Sequence, residues 1–259
     1  IKKKNTEVRK KAAAHIKALE KGKSVNADEL ITEINAECEK MNAYVYNEAS
    51  AILADGKIPA LIGGDHSTPL GLIKALGEKH GGFGILQIDA HADLRDAYEG
   101  FTYSHASIMF NALQNEQVKK LVQVGVRDIC DDEINLINAS NRRIVTYFNH
   151  EIKDAVFNGI NWTAICRQIV EELPKKVYIS FDIDGLDQRY CPNTGTPVPG
   201  GLAYEQAVYL LNEIITSGRE IIGFDLVEVA PGDDEWDAIV GARMLYKMCN
   251  LALKSKTNA

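Results

Sequence analysis

No apolar run in this chain approaches the roughly 18 residues that read as a membrane span, and no charged-then-apolar leader precedes a cleavage site. A soluble protein with no membrane partner is expected. Cysteine is sparse: Cys38, Cys130, Cys166, Cys191 and Cys249 are odd in number, widely spaced and never in a C-x-x-C pair. That pattern fits neither a disulfide framework nor a zinc ribbon, and it fits a reducing cytoplasm. The cysteines read as core fillers, with Cys191 set in a loop. No long basic stripe occurs beyond Lys2-Lys3-Lys4, which reads as a solvated end, and 29 Lys and Arg against 36 Asp and Glu leave a net charge of −7. Nucleic acid is therefore not an expected partner. Repeats, low-complexity segments and linker-like stretches are also missing. What remains is ordinary globular usage, 46% hydrophobic and 25% charged over 259 residues, enough for one sizeable core.

The chain does carry apolar periodicity that switches repeatedly. Glu7 to Glu20 reads as a helix, and Asn26-Ala27-Asp28-Glu29 as a cap opening a long amphipathic helix that ends near Gly56. Apolar runs at Ile58 to Ile62, Phe83 to Ile88, Lys120 to Val124, Arg143 to Tyr147, Val177 to Phe181 and Ile221 to Val227 read as strands. Helical spacing at Pro69 to Glu78, Ala106 to Asn115, Asp131 to Asn138, Trp162 to Leu173, Tyr204 to Ser217 and Asp237 to Leu253 separates them. Strand and helix in alternation predict an α/β domain, a mainly parallel sheet with helices on both faces. One domain spans 1–259, with 1–56 a helical N-terminal part and 57–253 the core.

Acidic stretches follow two of the buried strands. Asp89-Ala90-His91-Ala92-Asp93 comes after Phe83 to Ile88, and Asp182-Ile183-Asp184-Gly185-Leu186-Asp187 ends Val177 to Phe181. If the strand pleat continues, Asp89, His91 and Asp93 leave one face together, as do Asp182 and Asp184. Gly63-Gly64-Asp65-His66-Ser67, His105 and Glu228 fall at the same kind of boundary. In open parallel sheets the ligand lies outside the carboxyl ends of the strands. Four clustered carboxylates repel unless cations neutralise them. His66, Asp89, His91, Asp93, Asp182 and Asp184 are too many for one structural zinc and suit two octahedral ions, about 3.5–4 Å apart, able to activate a water. The mixed imidazole and oxygen set favours manganese and leaves iron, cobalt and nickel open. Metal-assisted hydrolysis is the reaction class that follows. Taken alone, the Gly-Gly-Asp-His segment could be only a tight turn; the Asp89-x-His91-x-Asp93 alternation also occurs on half-exposed strands, and an all-oxygen calcium loop fits it poorly. His15, His80 and His150 read as surface residues, and Asp65 and Asp187 as hydrogen-bond partners that orient ligands.

These stretches, with Asn193-Thr194-Gly195-Thr196-Pro197, Gly200-Gly201-Leu202 and Val227-Glu228-Val229-Ala230-Pro231, resemble the ureohydrolases, the arginase and agmatinase family, in order from about Lys57 to Leu253. The resemblance implies an arginase-like three-layer α/β/α fold, two manganese ions, and hydrolysis of a guanidinium group to urea and an amine. It implies that His66, Asp89, Asp93 and Asp182 hold one ion and Asp89, His91, Asp182 and Asp184 the other, with Asp89 and Asp182 as bridges. It implies further that Asp93 passes a proton to the leaving amine, that Glu228 pairs with the guanidinium, and that His105 serves near the mouth.

The resemblance departs from arginases at two points. Arg95 stands where they carry an Asn, and Arg127-Asp128-Ile129-Cys130 where they carry Arg-Asp-x-Asp. Both positions serve the amino-acid head group, so agmatine is the expected substrate. Asp96 or Glu99 could meet its ammonium, while Arg95 could instead draw a carboxylate, as in guanidinobutyrate. The alternatives are a guanidinobutyrase, an arginase, or a non-catalytic metal-binding member. The chain opens at Ile1 in helix, so it is expected to lack the first strand of the family's sheet. A homo-oligomer is expected from the family.

Overall fold

Near-continuous apolar runs are what strands need when helices cover both faces of their sheet. In this computed structural model, which describes residues 2–22 and 28–257, such runs form β1 (Ala60–Ile62), β2 (Phe83–Ile88), β3 (Val118–Val124), β4 (Ile144–Tyr147), β5 (Lys176–Asp182) and β6 (Glu220–Val227). The sheet order is β1-β6-β5-β2-β3-β4, and every pairing is parallel. Nine helices are described: α1 (Lys2–Glu20), α2 (Asp28–Ala54), α3 (Leu70–His80), α4 (Ile108–Leu113), α5 (Asp131–Ala139), α6 (Asn149–Phe157), α7 (Trp162–Glu171), α8 (Tyr204–Thr216) and α9 (Trp236–Thr257). None of them is long and apolar enough to cross a membrane.

Alternation along the strands divides the core in two. Leu86, Ile88, Val122, Ile179 and Phe181 meet Ile169 of α7, Leu210 and Leu211 of α8 and Met244 and Met248 of α9. Phe83, Ile85, Leu121 and Tyr178 meet Leu53 of α2, Ile73 and Leu76 of α3 and Met109 of α4 on the other face. Each fully buried aliphatic side chain contributes about 1.5–3 kcal/mol before chain entropy is charged against it. The result is the three-layer α/β/α arrangement. β2 and β5 lie side by side at its centre, where the strand order turns back, and that is where a crevice opens at the carboxyl ends.

The differences from the sequence reading are local. α6 went unread because Ile152 is its only buried residue and offers no periodicity. The segment from Ala106 opens with a 3-10 turn at His105–Ser107 before α4 begins. His15 is not a surface residue. Ala12, His15, Ile16 and Leu19 recur at three- and four-residue steps and form the covered stripe of α1. His15 is only 5% exposed, its ring edge-on to Phe101 at 5.7 Å. His80 is half-buried and His150 exposed. Cys166 and Cys191 fill core, whereas Cys38, Cys130 and Cys249 are partly exposed. The cap expected at Asn26 and the side chains of Lys2, Lys3 and Lys4 lie outside the described residues.

Candidate metal centre

Beneath the crevice a polar row interrupts the apolar strands. Thr146, Gln123, Gln87, Ser180 and Asp225 sit opposite one another on β4, β3, β2, β5 and β6. The last four are fully buried. A buried polar group without a partner is expensive, and here each finds one. Thr146 Oγ1 donates to Gln123 Oε1 at 2.7 Å, Gln123 Nε2 to Gln87 Oε1 at 2.6 Å, and Gln87 Nε2 to Asp89 Oδ2 at 2.8 Å. On the other side Ser180 Oγ and Tyr178 Oη both donate to Asp225 Oδ2, at 2.8 and 2.5 Å. Burial pushes the Asp225 carboxyl up from its ordinary value, against these donors.

Ser180 therefore spends its proton on Asp225 and faces His66 Nε2, 2.8 Å away, as an acceptor. In the neutral ring this puts the hydrogen on Nε2 and the lone pair on Nδ1. Nδ1 is buried with no hydrogen-bond partner, yet it lies 2.9 Å from Asp89 Oδ2, 3.0 Å from Asp93 Oδ2 and 3.4 Å from Asp182 Oδ2. A second group lies alongside, with His91 Nδ1 3.1 Å from Asp184 Oδ2 and 3.5 Å from Asp89 Oδ1. Asp89 turns one oxygen to each group and belongs to both candidate triads, His66-Asp89-Asp182 and Asp89-His91-Asp184. Asp182 Oδ1 accepts from Asp184 N at 2.9 Å, and Asp184 Oδ1 from Ala90 N at 3.0 Å. Gly185 makes this contact of loops possible, since a Cβ there would sit 2.6 Å from Asp89 N.

Charge in the cluster is unbalanced. Burial would depress the His66 imidazole, but the Asp182, Asp89 and Asp93 carboxylates outweigh it and hold it well above the ordinary value. His91 is driven up to about 11 against its partial burial by Asp184 and Asp89. Burial and the neighbouring Asp89 charge push Asp93 up to about 7, while burial and two carboxylates raise Asp182 well above its usual range. Three buried carboxylates around the orphaned His66 Nδ1, with Asp184 beside His91 as a fourth, form a donor set that divalent cations would satisfy. The residues present fit a pair of such ions.

Around the cluster, Glu228 has φ +61° and its Oε1 accepts from His66 N at 2.9 Å; burial raises its carboxyl to about 7. Arg127 donates to Asp184 O and Val198 O, both at 2.8 Å, and so ties the Asp184 loop to the 198–199 segment. A pocket of about 150 Å³ opens beside His91 and Asp93, lined also by Arg95, Tyr98, His105, Asp128, Glu133 and Thr196. A larger groove of about 730 Å³ runs between α2, α3 and α4, but none of its lining residues belongs to the cluster.

The family model described as the Arginase family matches residues 4–250. The chain belongs to the arginase family. It is 35% identical over 227 residues to the N(1)-aminopropylagmatine ureohydrolase of Thermus thermophilus, which covers 88% of this chain and 73% of that protein. It is 32% identical over 215 residues to the guanidinobutyrase of Pseudomonas aeruginosa, covering 79% of this chain and 63% of that one. Its fold matches the agmatine ureohydrolase structure of Thermoplasma volcanium with a TM-score of 0.72 at 27% identity, over 85% of this chain and 71% of that chain.

For this member of the arginase family, all six residues singled out as ligands converge, but not by the route expected. The pleat does not run on past β2. Its last strand residue is Ile88, and Asp93 has φ +54°, so only Gln87 and Asp89 share a face by strand geometry. His91 and Asp93 return to the cluster because the backbone turns. Asp65 and Asp187 do not orient ligands. Asp65 accepts from Ser67 N and Oγ, and Asp187 pairs with Arg189 at 2.8 Å. The orienting residues are Gln87, Gln123, Ser180, Asp225 and Arg127. A polar residue near the end of a buried strand was their signal, and it recurs in Gly84-Ile85-Leu86-Gln87-Ile88, Leu121-Val122-Gln123-Val124 and Gly223-Phe224-Asp225-Leu226. Asp96 and Glu99 do not line the pocket. Besides Asp93, its carboxylates are Glu133, which accepts from Leu94 N and Cys130 N, and Asp128, whose side chain is 68% exposed.

Proposed function

We propose that this arginase-family ureohydrolase holds two manganese ions and cleaves a small guanidinium compound carrying a second cation, agmatine first among them, to urea and an amine. The observation that carries the reading is the pair of ligand groups sharing Asp89, with His66 Nδ1 left free among carboxylates. His66, Asp89, Asp93 and Asp182 would hold one ion and Asp89, His91, Asp182 and Asp184 the other. When bound, such a pair supplies Lewis acidity that lowers the pKa of a water towards neutrality.

The chain's own residues do the rest. Asp93, whose Oδ2 faces His66 Nδ1 at 3.0 Å inside the cluster, would still have a carboxylate able to accept a proton and return it to the leaving amine. The Glu228 carboxylate offers a flat pair of acceptors to the guanidinium fork. Its raised pKa supports the role, because a cation beside it would restore the charge that burial opposes. His105, at the pocket rim, lies where it can steer substrate or carry a proton outward. Outside the metal cluster, Asp128 is the pocket carboxylate not committed to backbone donors, and it suits the distal ammonium of agmatine or an aminopropyl extension of it. Arg95 supports a second reading, a guanidino acid, although its guanidinium is drawn onto the Tyr98 ring, 5.1 Å from the centroid.

Urea release with manganese present, from agmatine, N(1)-aminopropylagmatine, arginine and guanidinobutyrate, tests the proposal. Agmatine and N(1)-aminopropylagmatine, which carry a distal amine and no carboxylate, should turn over fastest. Arginine leading the panel would overturn the agmatine reading, and guanidinobutyrate leading would establish the second one.

A further inference from the structure

The helical N-terminal part reaches the pocket rim, and none of its described residues places a side chain in the lining. Residues 98–102 form a tight turn in which Tyr98 N donates to Phe101 O at 3.2 Å and Phe101 N to Tyr98 O at 2.9 Å. Its two central residues both have positive φ, Glu99 at +54° and Gly100 at +86°. Glycine adopts that conformation freely, but glutamate resists it and needs outside support. The support comes from α2. Asn35 Oδ1 accepts from Thr102 N at 3.1 Å, and Asn35 Nδ2 donates to Gly100 O at 3.3 Å. Both ends of one amide thus hold the turn across more than sixty residues of sequence. Ile31 closes over it, its Cδ1 2.7 Å from where a Gly100 Cβ would stand. Phe101 is pinned beside His15 of α1, and Asn111 Nδ2 donates to Thr102 O from the opposite side at 2.8 Å.

The turn carries Tyr98 into the pocket wall. Its ring lies beneath the Arg95 guanidinium and edge-on to His105, centroids 6.1 Å apart. Arg95, Tyr98 and His105 all line the pocket beside His91 and Asp93.

We propose that Asn35 is a positioning residue for substrate: it fixes the 98–102 turn, through it Tyr98 and the rim, and so governs KM rather than the chemical step. The inference rests on the guanidinium-hydrolase reading, and it needs no contact between Asn35 and substrate. Alanine is a better helix former than asparagine, so Asn35→Ala leaves α2 itself unweakened.

The test compares the unmodified chain with Asn35→Ala and Asn35→Asp, each loaded with manganese. Hydrogen exchange at residues 98–102 should quicken in Asn35→Ala. The loss of two hydrogen bonds should raise KM for agmatine about threefold to tenfold, with kcat changed less than about twofold and manganese content unchanged. Asn35→Asp keeps the acceptor for Thr102 N, and its KM should fall between the other two. Unchanged exchange at 98–102 overturns the proposal, as does a joint fall in kcat and manganese content with KM constant. If the unmodified chain releases urea from no guanidinium compound, it is the proposed function that fails, and the exchange rates still decide whether Asn35 holds the turn.

Discussion

Replacing Ser180 with alanine should weaken manganese binding without touching any proposed ligand. The hydroxyl is the acceptor that keeps hydrogen on His66 Nε2, 2.8 Å away, because its own proton goes to Asp225. Without it Nε2–H is buried and unpaired. The carboxylates already favour a proton on Nδ1, which faces the Asp89 and Asp93 oxygens at 2.9 and 3.0 Å. Metal loading must strip that Nδ1 proton and leave Nε2–H without an acceptor. Leaving one buried donor unpaired costs about 1–3 kcal/mol. Taking about 2 kcal/mol gives a ~30-fold loss of affinity, within the ~10–100-fold typical when a residue orienting a metal-bound histidine is removed. Calorimetric titration of metal-free protein with manganese measures it directly, and thermal unfolding of the metal-free form checks that the fold survives. Asp225→Asn, which keeps an oxygen for the hydroxyl, should lie between. An affinity for Ser180→Ala within threefold of the unmodified chain, with unfolding unchanged, would refute the tautomer argument.

Chelation should lower the unfolding temperature, since four buried carboxylates are left facing one another. Restoring manganese at 100 times its Kd should return about 2.7 kcal/mol, and calorimetric scans with and without chelator would read this. Gly185→Ala should cost about 1–3 kcal/mol in urea unfolding and loosen the metal site, because the new Cβ meets Asp89 N at 2.6 Å and Ile88 C at 2.8 Å. The Cys166 and Cys191 thiols are both pushed up to about 12 by burial. At about pH 8 they should stay unalkylated in the folded chain and react once it unfolds, as mass spectrometry after labelling would record.

Much of the layout was legible because buried parallel strands announce themselves as unbroken apolar runs. Phe83 to Ile88 was read to the residue, and the other five strands to within two or three. α6 escaped because one buried isoleucine cannot mark a helical face. The ligand residues and their gathering at the strand ends were legible, but the route by which they converge was not, since it depends on the positive φ of Asp93 and the close approach at Gly185. The pocket rim was harder still. Asp96 and Glu99 looked available from spacing alone, whereas the turn that carries Tyr98 inward sends Asp96 to the surface and leaves Glu99 outside the lining. Asp128 reaches the pocket because its backbone bridges to His91, a pairing no local pattern reveals.

The polar row has a further consequence, for strand pairing as the chain folds. Gln87 sits opposite Gln123 and Ser180, and Ser180 opposite Asp225. A slip of one residue between β2 and β5 would bring Phe181 opposite Gln87 and turn a serine or a glutamine towards the wholly apolar side of the sheet. Side-chain direction alternates along a strand, so no such slip leaves the row intact. Each stranded polar group would forfeit about 1–3 kcal/mol. In a sheet this apolar, where sliding one valine past another changes little, these few hydrogen bonds distinguish the native alignment from its neighbours. The side chains that aim the proposed ligands also proofread the assembly of the sheet beneath them.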